Sequence, residues 1–231
     1  MTTTVERRYT SGTVELRAGG DGKVLGGYAL KYNRLSQNLG GFVERVASGA
    51  LVKTLRDGGD VLARFQHADE FLLGRTSSGT LRLSPDDEGL GYDVDLPDTD
   101  YESNLAALAE RGDVRHSSFA FRTLDDEWGF TEQGFPMRTL LEIQLVDVAP
   151  VVNPAYLDTS SGLRSLAEAR GMDLDELATA ARDGRLADVM RASSNPADGG
   201  EDHHGNGPGD THPLVAIRRR QADLGPRPVL L

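Results

Sequence analysis

The order of patterned segments before residue 160 is what most restricts the fold of this chain. Short runs that alternate apolar and polar residues follow one another, broken by turn signals, with only two helix-like stretches among them. "GTVELRAGGDGKVLGGYALKYN" reads as two strands around a Gly-Gly-Asp-Gly turn, and "GTLRLSPDDEGLGYDVDLP" as a hairpin around Pro-Asp-Asp-Glu-Gly. "VLARFQH" reads as a strand that ends in a histidine. "SSFAFRTL" and "MRTLLEIQLVDVAPV" are further strands, with a short strand and turn in "DDEWGFTEQGFP" between them. "SGALVKTLRDGG" is a short helix, with Ser48 as N-cap and Gly58 past its end. "DTDYESNLAALAERGD" is a longer one, with Asp98 or Thr99 as cap, Tyr101, Leu105, Leu108 and Ala109 on one face, and Gly112 as terminator. Regular strand–helix alternation is missing, which disfavours a doubly wound parallel sheet. The expected class is α+β, with a mostly antiparallel sheet that closes on itself and helices packed against it.

The pattern changes near residue 160. "GMDLDELATAARDGRLADVM" reads as two short helices around Asp183-Gly184. "SSNPADGGEDHHGNGPGDTH" has almost no apolar side chains and cannot offset the entropy of ordering, so it is expected to be disordered. The final "PLVAIRRRQADLGPRPVLL" is apolar and basic, as a docking peptide would be. The expected division is 10–160, a main domain; 161–192, a short helical extension; and 193–231, a disordered tail carrying the docking peptide.

Composition removes several functions. A net charge of −11 over 231 residues argues against nucleic-acid binding, which needs clustered Lys and Arg. The absence of cysteine removes disulfides, thiolate catalysis and Cys-ligated zinc. No apolar run is long enough for a membrane helix, and "MTTTVERRYT" lacks the apolar centre of a signal peptide, so a cytoplasmic protein is expected.

Chemistry concentrates in three places. In "RHSSFAF", Ser117, Phe119 and Phe121 share one strand face, and Ser118, Ala120 and Arg122 the other. The phenylalanines belong to the core and take Ser117 with them. Ser118 then faces away beside a small Ala120, with open space for an exposed nucleophilic Oγ. The plainer alternative is an ordinary sheet serine. His67, at the end of its strand and facing a cleft, suits proton transfer, or is a structural histidine. His116 can turn only toward Ser118, two residues on. His203, His204 and His212 fall in the polar tract and are read as linker rather than as metal ligands. A serine needs a base, and the base an orienting acceptor. Asp147 shares a face with Ile143 and Leu145, and an acid there requires a partner; Glu142, on the opposite face, competes for the role.

Taken in order, "GGYALKYNRLS", "FVERVASGAL", "FQHADEFLLGR", "SSFAF" and "LLEIQLVDVAPVVNPAY" resemble the prohead (capsid-maturation) serine proteases of tailed bacteriophages, a family related in fold to the herpesvirus assemblins. The resemblance covers residues 10–160 and makes that segment a prohead protease domain. It implies a small, mostly antiparallel β-barrel ringed by helices, with Ser118 as nucleophile, His67 as base and Asp147 as third member. Two positions depart from the family pattern: Ala120 stands where glycine is frequent, and Ala149 where serine is frequent. The implied activity is a serine endopeptidase that cleaves scaffold or capsid-protein arms, and itself, during prohead maturation. The implied site needs no metal or organic cofactor. The implied partners are the major capsid protein or scaffold and a second copy in a homodimer, with neither nucleic acid nor membrane. The implied location is the immature prohead in the host cytoplasm. Arg122, on the Ser118 face, is a candidate oxyanion donor. The rival reading is a non-catalytic scaffold or capsid-associated protein that keeps the protease fold.

Overall fold

A computed structural model describes residues 4–10, 13–19, 22–153 and 160–194. Of the expected tail, residues 195–231, with the three histidines and the docking peptide, lie outside the described residues, while Ser193 and Ser194 end a helix instead. The element order is β1 (Glu6–Thr10), β2 (Glu15–Ala18), β3 (Lys23–Lys31), β4 (Val43–Val46), α1 (Val52–Asp57), β5 (Leu62–Arg64), β6 (Leu72–Arg75), β7 (Leu81–Pro85) and β8 (Gly89–Leu96). Then follow α2 (Asp100–Glu110), β9 (His116–Phe130), β10 (Pro136–Val151), α3 (Ser160–Arg170), α4 (Leu174–Arg182) and α5 (Leu186–Ser194).

The class is α+β, but the expected closed barrel is replaced by two sheets. One is antiparallel, in the order β2-β3-β8-β7; the other is mixed, in the order β1-β9-β10-β5-β6, with β4 also on β10. The reason lies in β10. It is 16 residues long, and β9 occupies one of its edges almost throughout. Its other edge is shared between two short parallel partners, β4 along Met137–Leu140 and β5 at Asp147–Val148. Register shifts between Leu140 and Ile143 and between Leu145 and Asp147 bend the strand between them. Near the N-terminus the two sheets meet through isolated bonds, Val14 N–H to Arg115 O (3.1 Å) and Thr10 Oγ1 to Ala29 O (2.7 Å), rather than through a ladder.

The main core lies between the sheets. Leu25, Leu30, Leu90, Tyr92 and Val94 from the antiparallel sheet join Ala63, Leu73, Phe119, Phe121, Ile143, Leu145 and Val148 from the mixed one. On α2, Leu105, Ala106 and Ala109 enter the same core, while Tyr101 and Leu108 pack against it. Thr99 holds the N-cap position of α2, but neither it nor Asp98 supplies a side-chain cap; Gly112 turns left-handed just past the helix end, as expected. Helices α3 to α5 build a second core with Leu39 and Phe42. Gly184 makes the left-handed turn between α4 and α5.

Two expectations need correction. Ser48 does not cap α1; residues 47–52 form a turn held by Ala50 N–H to Ala47 O and Val52 N–H to Gly49 O, so the helix starts later, with Leu51 at the N-cap and no side-chain cap. "DDEWGFTEQGFP" is not a separate strand. It extends β9 to Phe130, then turns into β10.

A buried ionic cluster ties β1, β4, β9 and β10 together and had no signature in the sequence. Arg138 reaches Glu6 and Glu44 (2.8 and 2.9 Å) and Asp126 (2.5 Å), while Arg8 bridges Glu6 and Glu44. Burial pushes the Glu6 carboxyl up, but the charge and hydrogen bonds of Arg138 and the charge of Arg8 outweigh it and hold the group below its usual range. A depressed carboxyl contributes stability that is present at neutral pH and lost as pH falls through its folded value. Arg138→Met should therefore cost about 3–5 kcal/mol, the range for stranding buried charges. It should also move the acid-unfolding midpoint to higher pH. Urea titration at neutral pH and an acid melt followed by circular dichroism measure both.

Candidate active site

The site is assembled from three segments far apart in sequence. β9 supplies the serines. Facing Tyr92 in the core, Ser117 places its Oγ 3.2 Å from the Tyr92 hydroxyl. On the other face, Ser118 has its Oγ 2.6 Å from His67 Nε2. The stacked rings of Phe119 and Phe121, 5.2 Å apart, pin the strand in this orientation.

β10 supplies the acid. Asp147 lies opposite Ala120, and Ala149 opposite Ser118, so the two alanines flank the site directly. Asp147 is 0 % exposed, and its Oδ1 is 2.5 Å from His67 Nδ1. Burial pushes its carboxyl up; the hydrogen bond and charge of His67, then those of Arg64, overcome this and leave it below the usual carboxylate range. Glu142 pairs instead with Lys53 at 3.1 Å, and its side chain is 36 % exposed.

The third segment carries His67, and here the sequence reading needs revision. The strand stops at Arg64, and Phe65–His67 form a tight turn in which Gln66 and His67 have φ of 58° and 57°. Two successive non-glycine residues in the left-handed region are costly, and such strain concentrates at functional sites. The turn folds the imidazole over β9 and β10 instead of leaving it in an open cleft. His67 is buried, and Ser118 is 0 % exposed. Ala120 and Ala149, beside Ser118 and opposite it, are buried as well. The expectation of an exposed Oγ is corrected accordingly.

Sequence reasoning missed two further contacts. Ser118 Oγ also lies 2.9 Å from the carbonyl oxygen of Arg8 on β1, which pairs with β9 at Tyr9↔Ser118. The hydroxyl has one proton, so it donates either to Arg8 O or to His67 Nε2. Arg64, at the end of β5, bonds Asp147 Oδ2 and Asp69. A basic residue three positions before the candidate base was the one available signal for it. His116 lies opposite Val151 at the start of β9 and gives Ser118 no hydrogen bond. Arg122 is half-buried opposite Gln144.

A serine oxygen, an imidazole and a buried carboxylate in this linear order can deprotonate the hydroxyl and hold the resulting imidazolium. A family model described as caudovirus prohead serine protease matches residues 12–172. The chain belongs to this family. Membership makes it a phage peptidase of capsid maturation. Among solved structures, the bacteriophage T4 capsid assembly protease, gp21, is similar, with a TM-score of 0.47 and 13 % identity; the match covers 65 % of this chain and 98 % of that one. No curated protein sequence matches. Among the described residues of this family member, no helix is long and apolar enough to cross a membrane.

Proposed function

We propose that this family member is a serine endopeptidase in which Ser118 is the nucleophile, His67 the general base and Asp147 the residue that orients it. The supporting observation is the continuous relay, 2.6 Å from Ser118 Oγ to His67 Nε2 and 2.5 Å from His67 Nδ1 to Asp147 Oδ1. Ser118 Oγ bonds to the carbonyl carbon of a peptide and passes its proton to Nε2. Asp147 keeps the other proton on Nδ1 and stabilises the imidazolium. The C–N bond then breaks, the Nε2 proton goes to the leaving amine, and water hydrolyses the acyl-enzyme through the same base. With its hydroxyl turned to Arg8 O, Ser118 is at rest; turning it to His67 begins the cycle.

The substrates are scaffold or capsid-protein arms inside the immature prohead in the host cytoplasm, together with the chain's own residues after 160. Their supply fits the family description, caudovirus prohead serine protease. The acting species is a homodimer. A small serine-directed reagent, diisopropyl fluorophosphate, tests the chemistry. It should leave one adduct, on Ser118, and stop cleavage of coexpressed capsid protein. Undiminished cleavage with Ser118 unmodified overturns the assignment. Size measurement of the cleaving species in solution tests the dimer; a monomer that cleaves at full rate excludes it.

A further inference from the structure

We propose that Arg64 is a positioning residue for the reaction, fixing the Asp147 carboxylate from the side opposite His67; this rests on the serine-protease reading above. Three observations carry it. Parallel pairing of β5 with β10 sets Leu62 against Asp147 and Ala63 against Val148, which brings the next residue, Arg64, alongside the acid. The Arg64 side chain is 12 % exposed, and its guanidinium uses separate nitrogens for separate partners: Nη2 bonds Asp147 Oδ2, and Nη1 bonds Asp69, whose side chain is 90 % exposed. Each oxygen of Asp147 thus has its own donor, Oδ1 from His67 and Oδ2 from Arg64.

The chemistry gives this arrangement a task. To accept a proton from Ser118, His67 must be neutral, and in that state it offers Asp147 a hydrogen bond but no charge. A carboxylate with no exposure then needs a permanent cation nearby, or it takes up a proton. Arg64 is that cation, since a guanidinium does not deprotonate in proteins. It also makes Asp147 a weaker base, so the proton stays on Nδ1 when the imidazolium forms. Two-point holding stops the carboxylate from rotating and fixes the imidazole plane that aims Nε2 at Ser118. The groups bearing on His67 are Ser118 from β9, Asp147 from β10, Arg64 from β5 and, through Arg64, Asp69 just past the turn.

The test measures the rate of diisopropyl fluorophosphate modification at Ser118 as a function of pH, by intact mass, in the full-length protein. Modification of the wild type at Ser118 checks the underlying reading separately; if the wild type is not modified there, that reading fails. With the wild type modified, Arg64→Gln should lower the maximum rate by about 10²-fold, the cost of a misplaced catalytic group. Its acid limb should move to higher pH, because the Asp147 carboxyl has lost one of the partners holding it down. Arg64→Lys keeps the charge without the fork, so its acid limb should stay in place and its rate should lie between the other two. A purely structural role would lower thermal stability and leave the acid limb unmoved. If Arg64→Gln does not fold, Arg64→Lys decides alone: a rate reduced by about tenfold or more with wild-type thermal stability supports the proposal, and the same loss accompanied by a lowered melting temperature assigns a structural role and overturns it. Wild-type rates and pH profiles in the folded variants overturn it.

Discussion

Ser118→Ala should remain full length under conditions in which the wild type loses a C-terminal piece. Removing the nucleophile of a triad costs about 10⁶ in kcat, so cleavage should fall below detection. A tethered segment is held at high effective concentration near its own site, or near a neighbour's in a shell, and the sequence of residues 193–212 offers almost no apolar anchor. The cut is expected after residue 160. Ser117→Ala is the control. Its hydroxyl contacts Tyr92 in the core, so its loss should cost about 1–3 kcal/mol by stranding that phenol, with processing retained in the folded protein. Intact-mass measurement of the three chains, alone and coexpressed with capsid protein, decides the matter. Shortening of Ser118→Ala to the wild-type extent would assign the cut to contaminating proteases. A folded but inactive Ser117→Ala would move the nucleophile by one residue.

Asp147→Asn should lower kcat by about 10⁴, because an amide keeps the shape but favours the wrong imidazole tautomer. Glu142→Gln removes only a partly exposed pair with Lys53 and should leave the rate within about twofold, since exposed pairs contribute little. Steady-state cleavage of a capsid-derived peptide ranks the two. The reverse ranking would sink the assignment of the carboxylate.

Local patterns in the sequence were readable where the physics is local. The β7–β8 hairpin, Leu81 to Leu96, was legible because strict alternation flanks a strong turn. The α2 helix was legible because its apolar face and Gly112 agree. The facing of Ser117 and Ser118 followed from two phenylalanines that leave a strand only one way to lie. The parallel contacts of β10 were not legible: Asp147 pairs with Leu62, and no local pattern names a partner so distant. The turn at Gln66 and His67 was also hidden, since left-handed backbone without glycine or asparagine gives no signal. Misreading it as strand placed His67 facing a cleft; Ser118 looked exposed because the space beside the small Ala120 was taken to be open, where the folded-over ring covers it. Arg64 stayed unremarked for the same reason, as its role depends on that turn and on the parallel pairing.

The distances along the chain inside the relay have a consequence for biosynthesis. Ser118 follows His67 by 51 residues, and Asp147 follows His67 by 80. Asp147 sits near the end of β10, which must align against β9 on one edge and β5 on the other before the carboxylate meets the ring. Non-local pairing of this kind comes late, because loop closure must precede the contacts that reward it. A ribosome-bound fragment that ends before β10 therefore holds a serine and a histidine but no oriented base. On the serine-protease reading, such a chain is inert while being made, and its hydrolytic power switches on only when β10 is seated.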